Sequence, residues 1–309
     1  MNQLTRDVMD RIYTGYKTQY NKGLATVKTQ YLKYCEVVAS DSPIEKYPMV
    51  SLTGGMRKWI GPRVVNRMTG KIVTITNDDY EDTLGIPAND LRYDKLSIYN
   101  GRFVDMGIVA GNLWDKLAVT QVLSNPLWCD GKPFFVANRT IDDKDMIIIN
   151  NLVALGFSFE AYSAGRKQMM AFCDATGEPL ELVPDLLMVG PKYEESARSM
   201  LLNETIIIGG VAVTNPYRNP NVELIVNGRF IGDYEDQWRL MCTSRGVKPF
   251  VVQKVFESGL VRKDSATDDN MFNDNEAVYG LHSIGAAGPG LPQLCIGGIP
   301  APSAGAKKK

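Results

Sequence analysis

The chain of 309 residues is poor in the side chains on which most chemistry depends. It has 1 histidine, His282, in the stretch GLHSIGAAGPG. Nucleophile systems built on Ser–His–Asp or Cys–His need a histidine oriented by a third group, and zinc hydrolases usually take two or three histidine ligands. His282 would have to serve alone, so it reads as a surface or internally satisfied side chain. The 5 cysteines, Cys35, Cys129, Cys173, Cys242 and Cys295, are far apart and include no CxxC pair. Neither a zinc site nor a disulfide framework follows; reduced, mostly buried thiols of a cytosolic product are expected. No stretch approaches the roughly 20 apolar residues that cross a bilayer, and MNQLTRDVMDRIYTGYKTQY at the N-terminus has no hydrophobic run of a secretory signal. GxGxxG and GxxxxGK[ST] are missing, so no phosphate cradle is indicated. Net charge is nearly absent too: 34 Lys and Arg face 35 Asp and Glu, a balance of −1. There is no overall basic excess to neutralise a nucleic-acid backbone, and near-neutrality suits a subunit that packs against copies of itself.

What is present describes an ordinary globular protein, 44% hydrophobic and 22% charged, long enough for one large or two modest domains. Carboxylates cluster at Asp78/Asp79/Glu81/Asp82, at Asp142/Asp143/Asp145 and across DSATDDNMFNDNE, Asp264–Glu276. The last offers oxygen ligands of the kind calcium takes, but it lacks the glycine and spacing of an EF-hand loop, so a solvated loop is expected and no metal is assigned. A glycosidase-like carboxylate pair would need carbohydrate-binding aromatics, and no such grouping accompanies them. Met56–Arg63 (MRKWIGPR) interleaves basic residues with a Trp, a pattern that can bind nucleic acid but is short here. The residues name no catalytic centre and no cofactor.

Along the chain, Leu4, Val8, Ile12 and Tyr16 recur at spacing four and predict an amphipathic helix over Leu4–Tyr20. The polar, Tyr-rich segment that follows, up to Ser42–Pro43, reads as an arm rather than a core element. Tyr47–Asn77 carries Arg57, Lys58, Arg63, Arg67 and Lys71 with no acid, whereas Asp78–Asp94 is acidic with Arg92 alone. With KIVTIT (Lys71–Thr76) as a β-branched strand and Met68–Gly70 as a turn, this predicts a two-stranded excursion with a basic limb and a following acidic segment. Solvated faces and pairing of the two limbs across subunits are the alternatives. Ser97–Ser124 is the strongest helical pattern, about 40 Å long if continuous, stopped by Asn125–Pro126. Its Gly101, Gly107 and Gly111 suggest close approach of another backbone or a break near Gly101. Trp128–Gly131 predicts a tight turn. Further expectations are a helix over Asp142–Met170 interrupted at Gly156 and Gly165, a buried strand Leu186–Val189 and a helix Lys192–Leu202. A strand Ile206–Val213 bent at Gly209–Gly210, a hairpin turning at Asn227–Gly228 and a strand Val247–Phe256 follow. Gly285–Ala306 is rich in Gly, Pro and Ala, and Ala301–Lys309 reads as a flexible tail. Without regular βα alternation, the class is α+β.

Several of these segments, in this order, resemble the major head subunit of Mu-like phages and prophages, the T gene product family. Lys58–Arg63 is similar to its W-x-G-x-R motif. Tyr80–Ile86, Asn89–Asp90, Asp94 and Ser97–Tyr99 resemble its acidic link into a long helix. Cys129–Phe135 (CDGKPFF) resembles its C-x-D-G-x-x-F-F turn, and Trp238 through Lys248–Pro249 and Gln253 its W-x-L and later basic–Pro strand.

The resemblance implies the Hong Kong 97-type fold of tailed-phage capsids. It divides the chain into an N-terminal arm (1–50), an extended loop (51–93) and a peripheral domain with a spine helix (94–144). An axial domain (145–240), a return to the peripheral domain (241–298) and a flexible tail (299–309) complete it. The Gly-rich HSIGAAGPGLPQLCIGG puts the last peripheral strand in question. The implied function is a major capsid protein, no enzyme, that forms pentamers and hexamers of an icosahedral shell around double-stranded DNA without sequence-specific binding and without a membrane. Portal, separate scaffold and protease, and decoration proteins are implied partners, in a virion assembled in the bacterial host cytoplasm. Arg57, Lys58, Trp59 and Arg63 would reach a neighbouring subunit, with Asp78, Asp79, Asp82 and Asp90 as partners. Lys58 or Lys71 could donate a crosslink to Asn, but non-covalent assembly is expected. The alternatives are a tail-tube or decoration protein, or a hydrolase built on a carboxylate pair.

Overall fold

A computed structural model describes residues 4–49, 52–56, 58–61, 71–93, 95–140, 148–174, 176–208, 210–218, 221–257 and 259–301. The chain starts with helix α1 (Arg6–Thr26) and strands β1 (Cys35–Ala39), β2 (Ile44–Pro48), β3 (Ile72–Thr76) and β4 (Asp78–Pro87). Helices α2 (Ala88–Arg92), α3 (Leu96–Gly111) and α4 (Leu113–Ser124) follow. Next are short strands β5 (Arg139–Thr140), β6 (Ile148–Ile149) and β7 (Leu152–Val153), helix α5 (Phe159–Met170), strand β8 (Leu186–Val189) and helix α6 (Glu194–Leu202). Strands β9 (Thr205–Ile208), β10 (Val211–Thr214), β11 (Glu223–Val226), β12 (Trp238–Met241), β13 (Phe250–Glu257) and β14 (Val261–Lys263) lead to helix α7 (Asp269–Asn273), β15 (Glu276–Pro289) and β16 (Cys295–Gly298).

Two mixed sheets organise these elements. In the first, β15 is central, with β13 and β14 antiparallel on one side and β4 antiparallel on the other. β1 completes it parallel to β13, with Cys35 opposite Phe250. The second runs β11-β8-β12-β16-β7. The helices α1 and α3 cover part of the first sheet. Met9, Ile12, Tyr16, Tyr20 and Gly23 form the buried stripe of α1 at three- and four-residue steps. Tyr16 stacks on Phe103 at 4.0 Å, and both meet the ring of Tyr279 from β15 edge-on.

The spine bends at Asn112, between α3 and α4, and not near Gly101. The close approach suggested by its glycines is there, and the other backbone is α1. A Cβ on Gly107 would lie 2.1 Å from Tyr20 O, and one on Gly23 would lie 2.0 Å from Val104 O. Gly101 faces open space. Asn125 ends α4 in the left-handed region at φ 48°, and the Trp128–Gly131 turn forms as expected, Gly131 N–H donating to Trp128 O at 2.9 Å.

Several expectations are overturned. The Tyr-rich segment after α1 is no polar arm: Tyr31, Tyr34 and Cys35 are buried, and β1 joins the first sheet. Of the helix expected over Asp142–Met170, the start lies outside the described residues; from residue 148 on the chain forms β6 and β7, as β-branched Ile148 and Ile149 favour strand, and helix begins at Phe159. Within α5, Gly165 is no interruption; its missing side chain makes room for Trp238, whose ring would lie 3.0 Å from a Cβ there. Ile206–Val213 is a hairpin, Ile208 opposite Val211, rather than a bent strand. β11 is the reverse case: it pairs in parallel with β8, and Asn227–Gly228 forms a turn without a hairpin. HSIGAAGP is no weak end but the second half of β15, 14 residues long. The C-terminal strand β16 joins the second sheet, not the first. Its Gly298 lies under the indole of Trp238, 2.0 Å from where a Cβ would stand. Composition suggested a loose end where glycines admit aromatic rings. The turn at Met68–Gly70, the Asp142/Asp143/Asp145 cluster and the tail beyond Ala301 lie outside the described residues.

Candidate assembly surfaces

Among the described residues of the first half of the chain, the most exposed large apolar side chain, Met56, sits on the segment between β2 and β3. These strands form a two-stranded stalk, Ile44 opposite Thr76 and Pro48 opposite Ile72. The stalk is fixed to the first sheet by Gln253, which is buried on β13. Its amide donates to Ile75 O at 3.2 Å and Asn77 Oδ1 at 2.6 Å and accepts from Tyr47 Oη at 2.9 Å. Lys71 Nζ donates to Thr140 O at 2.9 Å. Further out, Gly54 N–H donates to Asp174 Oδ2 at 3.0 Å, while Thr176 Oγ1 and the Thr176 and Glu178 amides donate to Oδ1. These bonds, led by that from Thr176, pull the Asp174 carboxyl down to about 2.

Beyond this anchor the chain leaves the body. Met56 is fully exposed, Trp59 is 68% exposed and Ile60 is 74% exposed. Trp59 Nε1 donates to Gly61 O at 2.8 Å. Lys58 is exposed; Arg57 and Arg63 lie outside the described residues.

The acidic segment does not belong to this loop. It is β4, paired along its length with β15, Asp78 opposite Gly285 and Pro87 opposite Glu276. Asp78 and Asp79 are exposed, and His282 Nε2 lies 2.7 Å from Asp79 Oδ1. Asp82 is 3.9 Å from Arg102. Asp90 is bonded by Tyr99 Oη at 2.6 Å and Lys95 Nζ at 3.2 Å, and these contacts hold its carboxyl below the usual range. Asp82 and Asp90 therefore have cations within their own chain.

The Asp264–Glu276 stretch is not a loop of free carboxylates. Asp264 is buried, accepts from Tyr279 Oη at 3.1 Å and lies 3.6 Å from Arg262; burial raises its carboxyl. Asp268 Oδ2 accepts from Ser265 N–H at 2.8 Å, and Asp269 pairs with Lys263. Among the described residues, no His, Cys, Asp or Glu group has the arrangement of a metal site, and no helix is long and apolar enough to cross a membrane.

The sequence reading missed two buried polar nodes that position these surfaces. Asn151 donates to Phe134 O, Pro292 O and Cys295 O and accepts from Val136 N–H. Arg239 is fully buried and, among the described residues, has no carboxylate partner. Its Nε and Nη2 donate to Val122 O at 3.0 and 2.9 Å, Nη2 also to Gln237 Oε1, and Nη1 to Trp238 O and Gly298 O. Its guanidinium lies 4.5 Å from the Phe135 ring centre. Val122 is in the last turn of α4, and four residues on stands Pro126, which has no N–H. Arg239 supplies the donor that Pro126 lacks and ties the spine to the second sheet. Only the proline after the helix hinted at it.

The arrangement is found in solved structures of phage capsids. The chain is similar to the procapsid of bacteriophage JBD30, with TM-score 0.57, 21% identity and coverage of 97% of this chain and 78% of that one. It is also similar to the capsid of cyanophage P-SCSP1u, with TM-score 0.56, 12% identity and 89% of each chain covered. The mixed α+β fold is thus the Hong Kong 97-type fold of phage capsid subunits. The chain belongs to the family of the Mu-like prophage major head subunit gpT, whose model matches residues 9–154, 154–230 and 227–299. Over 288 residues it is 23% identical to the major capsid protein of Escherichia phage Mu, covering 92% of this chain and 71% of that protein.

Proposed function

We propose that this chain is the major head subunit of a Mu-like phage, and that it self-assembles through pentamers and hexamers into an icosahedral shell enclosing double-stranded DNA. Its role is structural and involves no catalysis. The observation that carries this reading is the loop beyond the Gly54–Asp174 anchor, which projects Met56, Trp59 and Ile60 away from the body of its own subunit. An exposed Trp flanked by Arg and Lys suits the centre of a protein interface, where aromatics and Arg dominate.

The segment near 51–77 acts as the extended loop, the first sheet with α1, α3 and α4 as the peripheral domain, and the second sheet with α5 and α6 as the axial domain at the capsomer centre. Arg57, Lys58, Trp59 and Arg63 contact the neighbouring subunit. Asp78 on the edge of β4 is the first carboxylate offered to them; Asp79, Asp82 and Asp90 exchange in-chain partners for the neighbour's cations. Portal, scaffold, protease and decoration proteins meet the finished shell or its precursor in the host cytoplasm as separate partners.

Negative-stain electron microscopy of the purified protein, alone and with candidate scaffold, tests the reading. Closed shells or five- and six-membered rings are expected; a monodisperse monomer under both conditions overturns it. Arg63→Glu should lower particle yield without unfolding the subunit, and an unchanged yield counts against the loop contact.

A further inference from the structure

Helix α1 buries one face and leaves the other bare. From Arg11 to Cys35 the sequence contains Arg11, Lys17, Lys22, Lys28 and Lys33 and no Asp or Glu. Lys33 is paired with Glu223. The buried stripe Met9, Ile12, Tyr16, Tyr20 and Gly23 fixes the rotation of the helix, so Arg11, Lys17 and Lys22 are exposed. Of the acids on α1, Asp7 stands in the first turn and Asp10 is held by Arg262. Among the described residues Arg11 donates to the backbone of Asp7, and Lys17 lies 5.9 Å from the Tyr13 ring centre. Neither these two nor Lys22 has a carboxylate partner there.

The cations continue past the helix. Lys28 lines a cleft of about 430 Å³ together with Lys116, Arg229, Gln30, Asn112 and Asn227. Asp115, the one acid lining it, is turned to the backbone, accepting from Gln30 N–H at 2.9 Å and Tyr31 N–H at 2.7 Å. A chain of net charge −1 thus segregates a cationic strip from its acidic β4 edge.

We infer that the bare face of α1 and the Lys28–Lys116–Arg229 cleft form one track that takes the phosphate backbone of double-stranded DNA. The inference deepens the shell reading and rests on it for the presence of enclosed DNA. The rise from Arg11 to Lys22 is about 16 Å, and that length of duplex carries about nine phosphate charges, enough to meet every cation on the face. The duplex is favoured over a single strand because the aromatic platform a single strand needs is turned inward: Tyr16, Tyr20 and Tyr31 are buried, and Tyr13 lies under Arg262. Contacts are to phosphates, so binding is independent of sequence.

The test is fluorescence anisotropy of a labelled 24-base-pair duplex of mixed sequence, titrated with the full chain between 50 and 200 mM NaCl. The triple variant Lys17→Gln, Lys22→Gln, Lys28→Gln is compared with a control, Lys95→Gln, Lys192→Gln, Lys263→Gln, which removes the same charge elsewhere on the surface. Each lost phosphate contact lowers the slope of log K against log salt by about 0.9. The track variant should lose about 2.7 of that slope and at least tenfold in affinity at 100 mM NaCl, while the control keeps its slope. Unchanged binding by the track variant, equal loss in both variants, or preference for polyglutamate over the duplex would each overturn the inference. Particles are imaged in parallel. Shells that form while the track variant binds DNA normally sink the track alone; no shells from the unaltered chain sink the shell reading.

Discussion

Replacing Arg239 by methionine should destabilise the subunit by about 3 kcal/mol, the difference between two opposed effects. Methionine fills much of the same space but donates nothing. Val122 O, Gly298 O and Gln237 Oε1 then lose a buried donor, at roughly 2 kcal/mol each. Val122 O fares worst, since Pro126 cannot replace the donor. Against this stands relief of a buried charge. Desolvation lowers the guanidinium from its ordinary value to about 10, so it remains charged at neutral pH, and its removal returns roughly 3 kcal/mol. The same reasoning makes Arg239→Lys at least as damaging as Arg239→Met. Lysine keeps a charge that is more strongly hydrated, with three donors in place of the planar fork of five. Urea unfolding of dispersed subunits, followed by the fluorescence of buried Trp114, Trp128 and Trp238, gives both values. A lysine variant within about 1 kcal/mol of the unaltered protein would refute the argument, because the fork would then be dispensable.

Gly107→Ala should cost about 2–4 kcal/mol by forcing α1 off α3, whereas Gly101→Ala, in open space, should gain up to about 1 kcal/mol; thermal melting of the two variants should move in opposite directions. Tyr16→Phe removes a buried hydroxyl with no partner among the described residues and should stabilise by about 1 kcal/mol, read as a higher urea midpoint. Asp174 has its carboxyl lowered to about 2 by Thr176 and Gly54. Its anchoring is fully present above the ordinary carboxylate value near 3.8 and is lost as pH falls through about 2. Asp174→Ala should therefore expose residues 52–61 to limited proteolysis at neutral pH, and equal cleavage rates in both proteins would remove Asp174 from the role of anchor.

The parts of the fold legible in the sequence were those whose signal is local. Leu186–Val189 is an uninterrupted apolar run and is β8 with the same bounds. The spine was readable from its apolar period, and its end from Asn125–Pro126. Glycine was the residue most often misread, because its meaning depends on a neighbour remote in sequence. Gly285 stands where a Cβ would meet Gln253 O and the Trp114 ring, and Gly298 where it would meet Trp238. Local composition made both look like loop. Asn227–Gly228 erred the other way: a strong turn signal was present, but β11 found its partner in β8, and only the sheet could show it. In the candidate surfaces, Trp59 is exposed, while the in-chain partners of Asp82 and Asp90 depend on α3 and the segment before it, which sequence spacing did not place opposite them.

The pairing of early strands with late ones has a consequence for when the subunit can exist. β1 needs β13, β4 needs β15, and β7 needs β16. During translation Pro87 waits for Glu276 before its side of the first sheet can close. At about 5–20 residues per second the wait is roughly 10–40 s. For that interval α1 has the face of α3 to dock on but not Tyr279, and β4 has no ladder partner. Such non-local closure is slow and leaves edges open to wrong partners. Both sheets are completed only by the C-terminal third of the chain. A chain still lacking β13, β15 and β16 therefore has neither sheet complete, and nascent neighbours have no complete surface through which to join prematurely.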